Sequence, residues 1–177
     1  MKQLLFALWA YSLLIAAPLR AAPDGVHDFD WEIGTWSTQL KRLREPLSGR
    51  IEWLEYAGTT VVKPVAGQRA NLVELDVRGP AGQIAGVSLR LYQPASGQWT
   101  LHFANLANGR MTDAMHGSFA HGRGVFYGQD AVNGRQVFVR FLIIPITKGQ
   151  WRFEQAYSAD GGATWENNWI AVDTRNK

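Results

Sequence analysis

Apolar and polar residues alternate along most of this chain. Val137, Val139, Phe141 and Ile143 share one parity, while Gln136, Phe138, Arg140 and Leu142 share the other. The same split recurs elsewhere. Leu89 and Leu91 oppose Ser88, Arg90 and Tyr92; Trp99, Leu101 and Phe103 oppose Thr100, His102 and Ala104; Trp151, Phe153 and Tyr157 oppose Arg152, Glu154 and Ala156. Near the end, Trp165 and Trp169 oppose Glu166, Asn168, Ile170 and Val172. A period of two is the signature of strands. The pattern predicts strands at 35–43, 50–63, 70–78, 85–93, 98–105, 114–119, 123–130, 135–144, 150–158 and 164–174. Turn chemistry separates them, as in "LSGR", "VAGQ", "GPAGQ", "PASGQ", "AHGRG" and "TKGQ". Asn133-Gly134 is a strong two-residue hairpin signal, because both positions must take positive φ. No long helix is predicted, although Phe29 and Ile33 can share a face of one helical turn. Consecutive strands joined by tight turns form an antiparallel meander, and closure removes its exposed edges. The expected fold is all-β: a barrel of eight to ten strands with a short N-terminal helical turn, wide enough to hold a small ligand.

The start of the chain reads differently. Lys2 precedes an apolar run from Leu4 to Leu19, and Ala21-Ala22 are small residues before Pro23. This is the pattern of a signal peptide, expected to span 1–22 and to leave one barrel domain at 23–177. The run is short for a membrane span of about 20 apolar residues. The expected location is periplasmic or secreted, with no membrane span after cleavage. The full chain carries a net charge of +3 with 18 basic and 15 acidic residues. Lys2 and Arg20 account for two of those bases, so the remainder is close to neutral. That balance argues against a nucleic-acid partner. There is no cysteine, so disulfides and thiolate metal sites are excluded.

Two tryptophan motifs stand out. Gly34-Thr35-Trp36 resembles the Gly-x-Trp of the lipocalin superfamily's first strand. The resemblance implies that Trp36 closes the barrel base under a basic residue of the last strand, and Arg175 is the residue placed to do so. More widely, "HDFDWEIGTW", "LRLYQPASGQW", "FYGQD" and "WRFEQAYSADGGATWENNW" resemble an uncharacterised family of exported bacterial proteins with a lipocalin-like (calycin) barrel. The resemblance covers most of the chain beyond the signal segment and implies fold and export, with no activity attached. The second motif, Ser158-x-Asp160-x-Gly162-x-Thr164-Trp165, is similar to the Asp-box of sialidase-type propellers. A propeller needs several four-stranded blades, so one box in this chain reads as a structural turn.

Candidate chemistry is sparse. His27, His102, His116 and His121 form no metal-binding pattern, and no metal or cofactor is expected. Nucleophile-elbow and dinucleotide motifs are absent. Strand parity leaves two arrangements open. In one, the apolar faces line the interior and Arg90, Arg140 and Glu154 stand in water, as antiparallel sheets with one wet face usually do. In the other, the mixed faces point inward, and Arg90, His102, Arg140, Glu154, Glu166 and Asn168 converge on a polar ligand-binding pocket. The leading function is binding of a small, partly apolar molecule. The alternatives are a cofactor-free isomerase, cyclase or lyase, with Glu154 or His102 carrying protons and Arg140 stabilising an oxyanion, or a structural or interaction protein of the envelope.

Overall fold

The computed structural model of the chain describes residues 25–176. The apolar run read as a signal segment lies outside them. Eleven strands follow two short 3-10 turns: β1 (Gly34–Leu43), β2 (Trp53–Val65), β3 (Ala70–Gly79), β4 (Gly82–Gln93), β5 (Gln98–Asn105), β6 (Arg110–Met111), β7 (Met115–Ala120), β8 (Arg123–Val132), β9 (Arg135–Thr147), β10 (Gln150–Ser158) and β11 (Glu166–Arg175). Neighbours in sequence are neighbours in space, except that β6 is an added two-residue edge on β5 and the ring passes from β5 to β7. Every pairing is antiparallel, and β1 pairs with β11 from Trp36↔Arg175 to Arg42↔Trp169. The meander therefore closes into a lipocalin-like barrel of ten strands, as its alternation required. All ten expected strands are present. Only β6 went unforeseen, being too short to show a period.

The ring is uneven. The β5–β7 seam holds three residue pairs, Trp99↔Gly117 to Leu101↔Met115, whereas β1–β2 runs from Gly34↔Val62 to Leu43↔Trp53. Above that seam β5 pairs instead with β6, through Ala104↔Met111 and Asn105↔Arg110.

One end of the barrel is plugged. The 3-10 turns Gly25–His27 and Asp30–Glu32 flank Phe29, whose ring is 1 % exposed. It meets Trp99 and Phe119 edge-on at 4.9 Å each. Trp36 donates its indole N–H to the Glu32 carbonyl at 2.7 Å. The Arg175 guanidinium lies 4.1 Å from the Trp36 ring and donates to the carbonyls of Trp31 and Ile33. Gly34 has φ +137°, and a Cβ there would sit 2.6 Å from Arg175 Nη1. The spacing Gly34-x-Trp36 thus gives the last strand's arginine both a clear approach and a ring to lie on.

Candidate functional site

Above the plug the barrel holds a cavity of about 520 Å³, within the size range of small-molecule sites. Its walls come from both parities. From β9 and β10 the apolar faces point inward, with Phe141, Ile143, Trp151 and Phe153 lining the cavity. From β4 it is the mixed face, with Ser88 and Arg90. Neither uniform arrangement holds, because each strand's inward parity is set by where its turns begin and end.

Arg90 is 4 % exposed and reaches the floor. It forms a two-pronged ion pair with Glu32, which is fully buried, and its guanidinium lies 4.2 Å from the Phe29 ring. Bidentate geometry is what makes a buried pair of this kind tolerable. Beside it stands Asp173, 1 % exposed, on the cavity wall. Thr38 donates its hydroxyl to Asp173 Oδ1 at 2.5 Å, and Thr60 lies 2.7 Å from the Thr38 hydroxyl. Burial pushes the Asp173 carboxyl up to about 6; hydrogen bonds from Thr38 and Thr60 oppose the shift, the Glu32 charge adds to it and Arg90 offsets it. A carboxyl so placed can take or give a proton near neutral pH.

The upper wall is more polar. Gln155 Nε2 donates to Asn168 Oδ1 at 2.8 Å, and both line the cavity. Asn168 faces inward because the β10–β11 register shifts between Gln155 and Ala156. The shift lets Asn167 turn outward to donate to Glu154. At the rim Tyr157 donates to Asp130 at 3.3 Å, and burial raises its phenol pKa. Arg42, Arg44 and Arg110 also line this end.

Of the six residues expected to converge, Arg90 and Asn168 line the cavity. The other four do not. His102 pairs in register with Leu89, on the parity of β5 opposite the inward Leu101 and Phe103. Arg140 lies across β9 from its inward neighbours, 4.7 Å above the Trp165 ring. Glu154 pairs with Arg152 at 2.6 Å. Glu166 accepts from the Leu47 backbone N–H at 2.7 Å, tying β11 to the β1–β2 loop. The expected cluster of Arg90, Arg140 and Glu154 does not form. Parity was read along each strand but could not be matched between strands. Sequence reasoning missed Asp173 and Glu32. Asp173 shares its parity with Ala171 and Trp169, both of which line the cavity, and that shared parity was the available signal. Glu32 lay within "HDFDWEIGTW", with nothing local to mark Arg90 as its partner.

Among the described residues, no three His, Asp or Glu side chains are grouped so as to hold a metal ion. No described helix is long and apolar enough to cross a membrane.

No family model matches the chain, and no curated protein matches it. Solved structures do. The chain is similar to the S-type phycobiliprotein lyase CPES of Guillardia theta, with a TM-score of 0.60 at 9% identity over 85% of this chain and 92% of that one. A de novo designed fluorescence-activating β-barrel matches at a TM-score of 0.44 and 10% identity, over 88% of this chain and 100% of that one.

Proposed function

We propose that this protein binds a small, partly apolar molecule inside its barrel. The observation that carries this reading is the cavity itself. It is open space of ligand size with aromatic and aliphatic walls, a charged floor at Asp173 and the Glu32-paired Arg90, and a polar rim. A barrel with only a structural role would be expected to fill its interior with side chains. The test is native mass spectrometry of protein purified from an expressing bacterium. The expected result is a bound small molecule that is released on denaturation. Protein that carries no adduct, and whose tryptophan emission does not respond to 8-anilinonaphthalene-1-sulfonate, would count against binding.

A second reading is catalytic, and Asp173 favours it. The proton carriers expected from the sequence, Glu154 and His102, do not line the cavity, and neither does Arg140. Asp173 does, and its carboxyl is held at about 6. A cofactor-free isomerase would use it to move a proton beside a carbonyl. Solvent deuterium entering a bound ketone next to its carbonyl, and failing to do so in Asp173→Asn, would establish that role. Equal exchange in both proteins would remove it. Export belongs to the same proposal and rests on the Leu4–Leu19 run. Mass spectrometry of the exported form is expected to find a first residue near 22–24.

A further inference from the structure

The charges that line the cavity narrow the chemistry of its ligand; this step rests on the binding reading above. Among the described residues they are Arg42, Arg44, Arg90, Arg110, Asp130 and Asp173. At the floor the charges are matched. Arg90 pairs with Glu32, Asp173 accepts the Thr38 hydroxyl, and all are buried. At the mouth they are not. Arg44 pairs with Glu52 at 2.7 Å, and Asp130 accepts from Tyr157 at 3.3 Å. Arg42 and Arg110 are left over: among the described residues no carboxylate forms an ion pair with either. Arg42 gives its Nε to the Tyr56 hydroxyl at 3.4 Å, while its two terminal nitrogens have no described partner and keep accessible surface. Arg110 is exposed. A guanidinium left open beside a cavity is a ready receptor for a carboxylate, sulfate or phosphate.

The wall below these arginines is apolar, and part of it is open. Phe103, Phe153 and Trp169 keep accessible surface, whereas Leu101, Trp151 and Ala171, one inward step deeper on the same strands, are buried. Arg42 stands opposite Trp169 in the β1–β11 register, and Asp173 lies four residues further down β11. At roughly 3.3 Å per residue, mouth and floor are about 13 Å apart. An anion carried to the floor would give up its water beside Glu32 and Asp173, where Arg90 is already taken, and burial of a charge without a partner is costly. We propose that the cavity takes an anionic amphiphile, its apolar chain pointing down onto Phe103, Phe153 and Trp169 and its anionic head held at the mouth by Arg42, with Arg110 adding to the attraction.

Three probes with one ten-carbon chain and different heads test this: decanoate, 1-decanol and decyltrimethylammonium. Dissociation constants come from ligand-observed NMR on the full barrel at pH 7.5. Decanoate is expected to bind at least tenfold more tightly than decanol, and the ammonium most weakly. Arg42→Gln is expected to weaken decanoate fivefold or more, and Arg110→Gln twofold or more, with decanol unchanged within twofold in both. Because the mouth is open to solvent, raising salt from about 0.01 M to about 1 M, which shortens the screening length from about 30 Å to about 3 Å, should weaken decanoate and spare decanol. The exposed Arg110 and the salt series keep the test intact if Arg42→Gln fails to fold. Decanoate and decanol binding equally, or the ammonium binding best, would overturn the anionic head while leaving the cavity as a binding site. Decanoate preferred but unmoved by both substitutions and by salt would put the head away from the mouth and overturn the proposed orientation. No binding by any of the three would overturn both readings.

Discussion

Asp173 shows what burial does to a single carboxyl. Its pKa stands near 6 in the folded chain, above the ordinary aspartate value of 3.8. The folded state therefore holds an extra proton between about pH 4 and pH 6, and stability falls as pH rises through that window. Asp173→Asn should flatten the dependence and, at pH 7.5, raise stability by up to about 3 kcal/mol, at ~1.4 kcal/mol for each tenfold change in proton affinity. Urea melts at pH 5 and pH 7.5 measure it; a variant no more stable than the parent at pH 7.5 contradicts the assignment. Arg140 is the opposite case. It is half-buried on the outer face and lies over Trp165, and among the described residues no carboxylate forms an ion pair with it. Arg140→Ala should then cost about 0.5–2 kcal/mol, the span from an exposed to a desolvated cation–π contact. A loss of 3–5 kcal/mol in the same melt would mean a broken buried ion pair instead.

At the scale of elements, the turn between β10 and β11 is organised around Asp160, with Ser158 and Trp165 adding bonds to Gly162. Asp160 accepts from the Ser158 hydroxyl at 2.7 Å, the Thr164 N–H at 2.9 Å and the Thr164 hydroxyl at 2.6 Å. Gly161 and Gly162 both take positive φ, and Trp165 returns its indole N–H to the Gly162 carbonyl at 3.0 Å. The bonds from Thr164, then Ser158, hold the Asp160 carboxyl down at about 2. Its contribution to the turn is present above about pH 4 and lost as pH falls toward 2. NMR shifts of the Thr164 amide should follow that titration, with a midpoint well below 3.8; an ordinary aspartate midpoint would disprove the bonds. Elements of this kind were legible in the sequence, because turn residues and period two are local signals. The hairpin at Asn133-Gly134 and the two-residue alternation of β9 and β10 belong with them, though not which of the two faces turns inward. What was not legible is relational. Arg90 finds Glu32 across 58 positions, Asn168 faces inward only through a register shift, and no alternation within one strand fixes its phase against the next.

For the whole molecule, closure is the governing fact. The ten strands seal one end around Phe29 and leave the other to the rim and to β6. The ring is weakest at β5–β7, with its three pairs. Hydrogen exchange should find amides of 105–117 opening first and those of β1–β2 and β10–β11 last, since opening follows the local density of pairing. Uniform protection around the ring would contradict this. The pairing of β1 with β11 has a further consequence, for the order in which the barrel assembles. The first strand waits for the last, and the Arg175 that locks the plug ends the final strand. Contacts this distant in sequence carry a large loop-closure cost and form late. Until β11 docks on β1 the barrel is an open, curling sheet, so a chain cut short before 166 has two bare edges and no sealed floor.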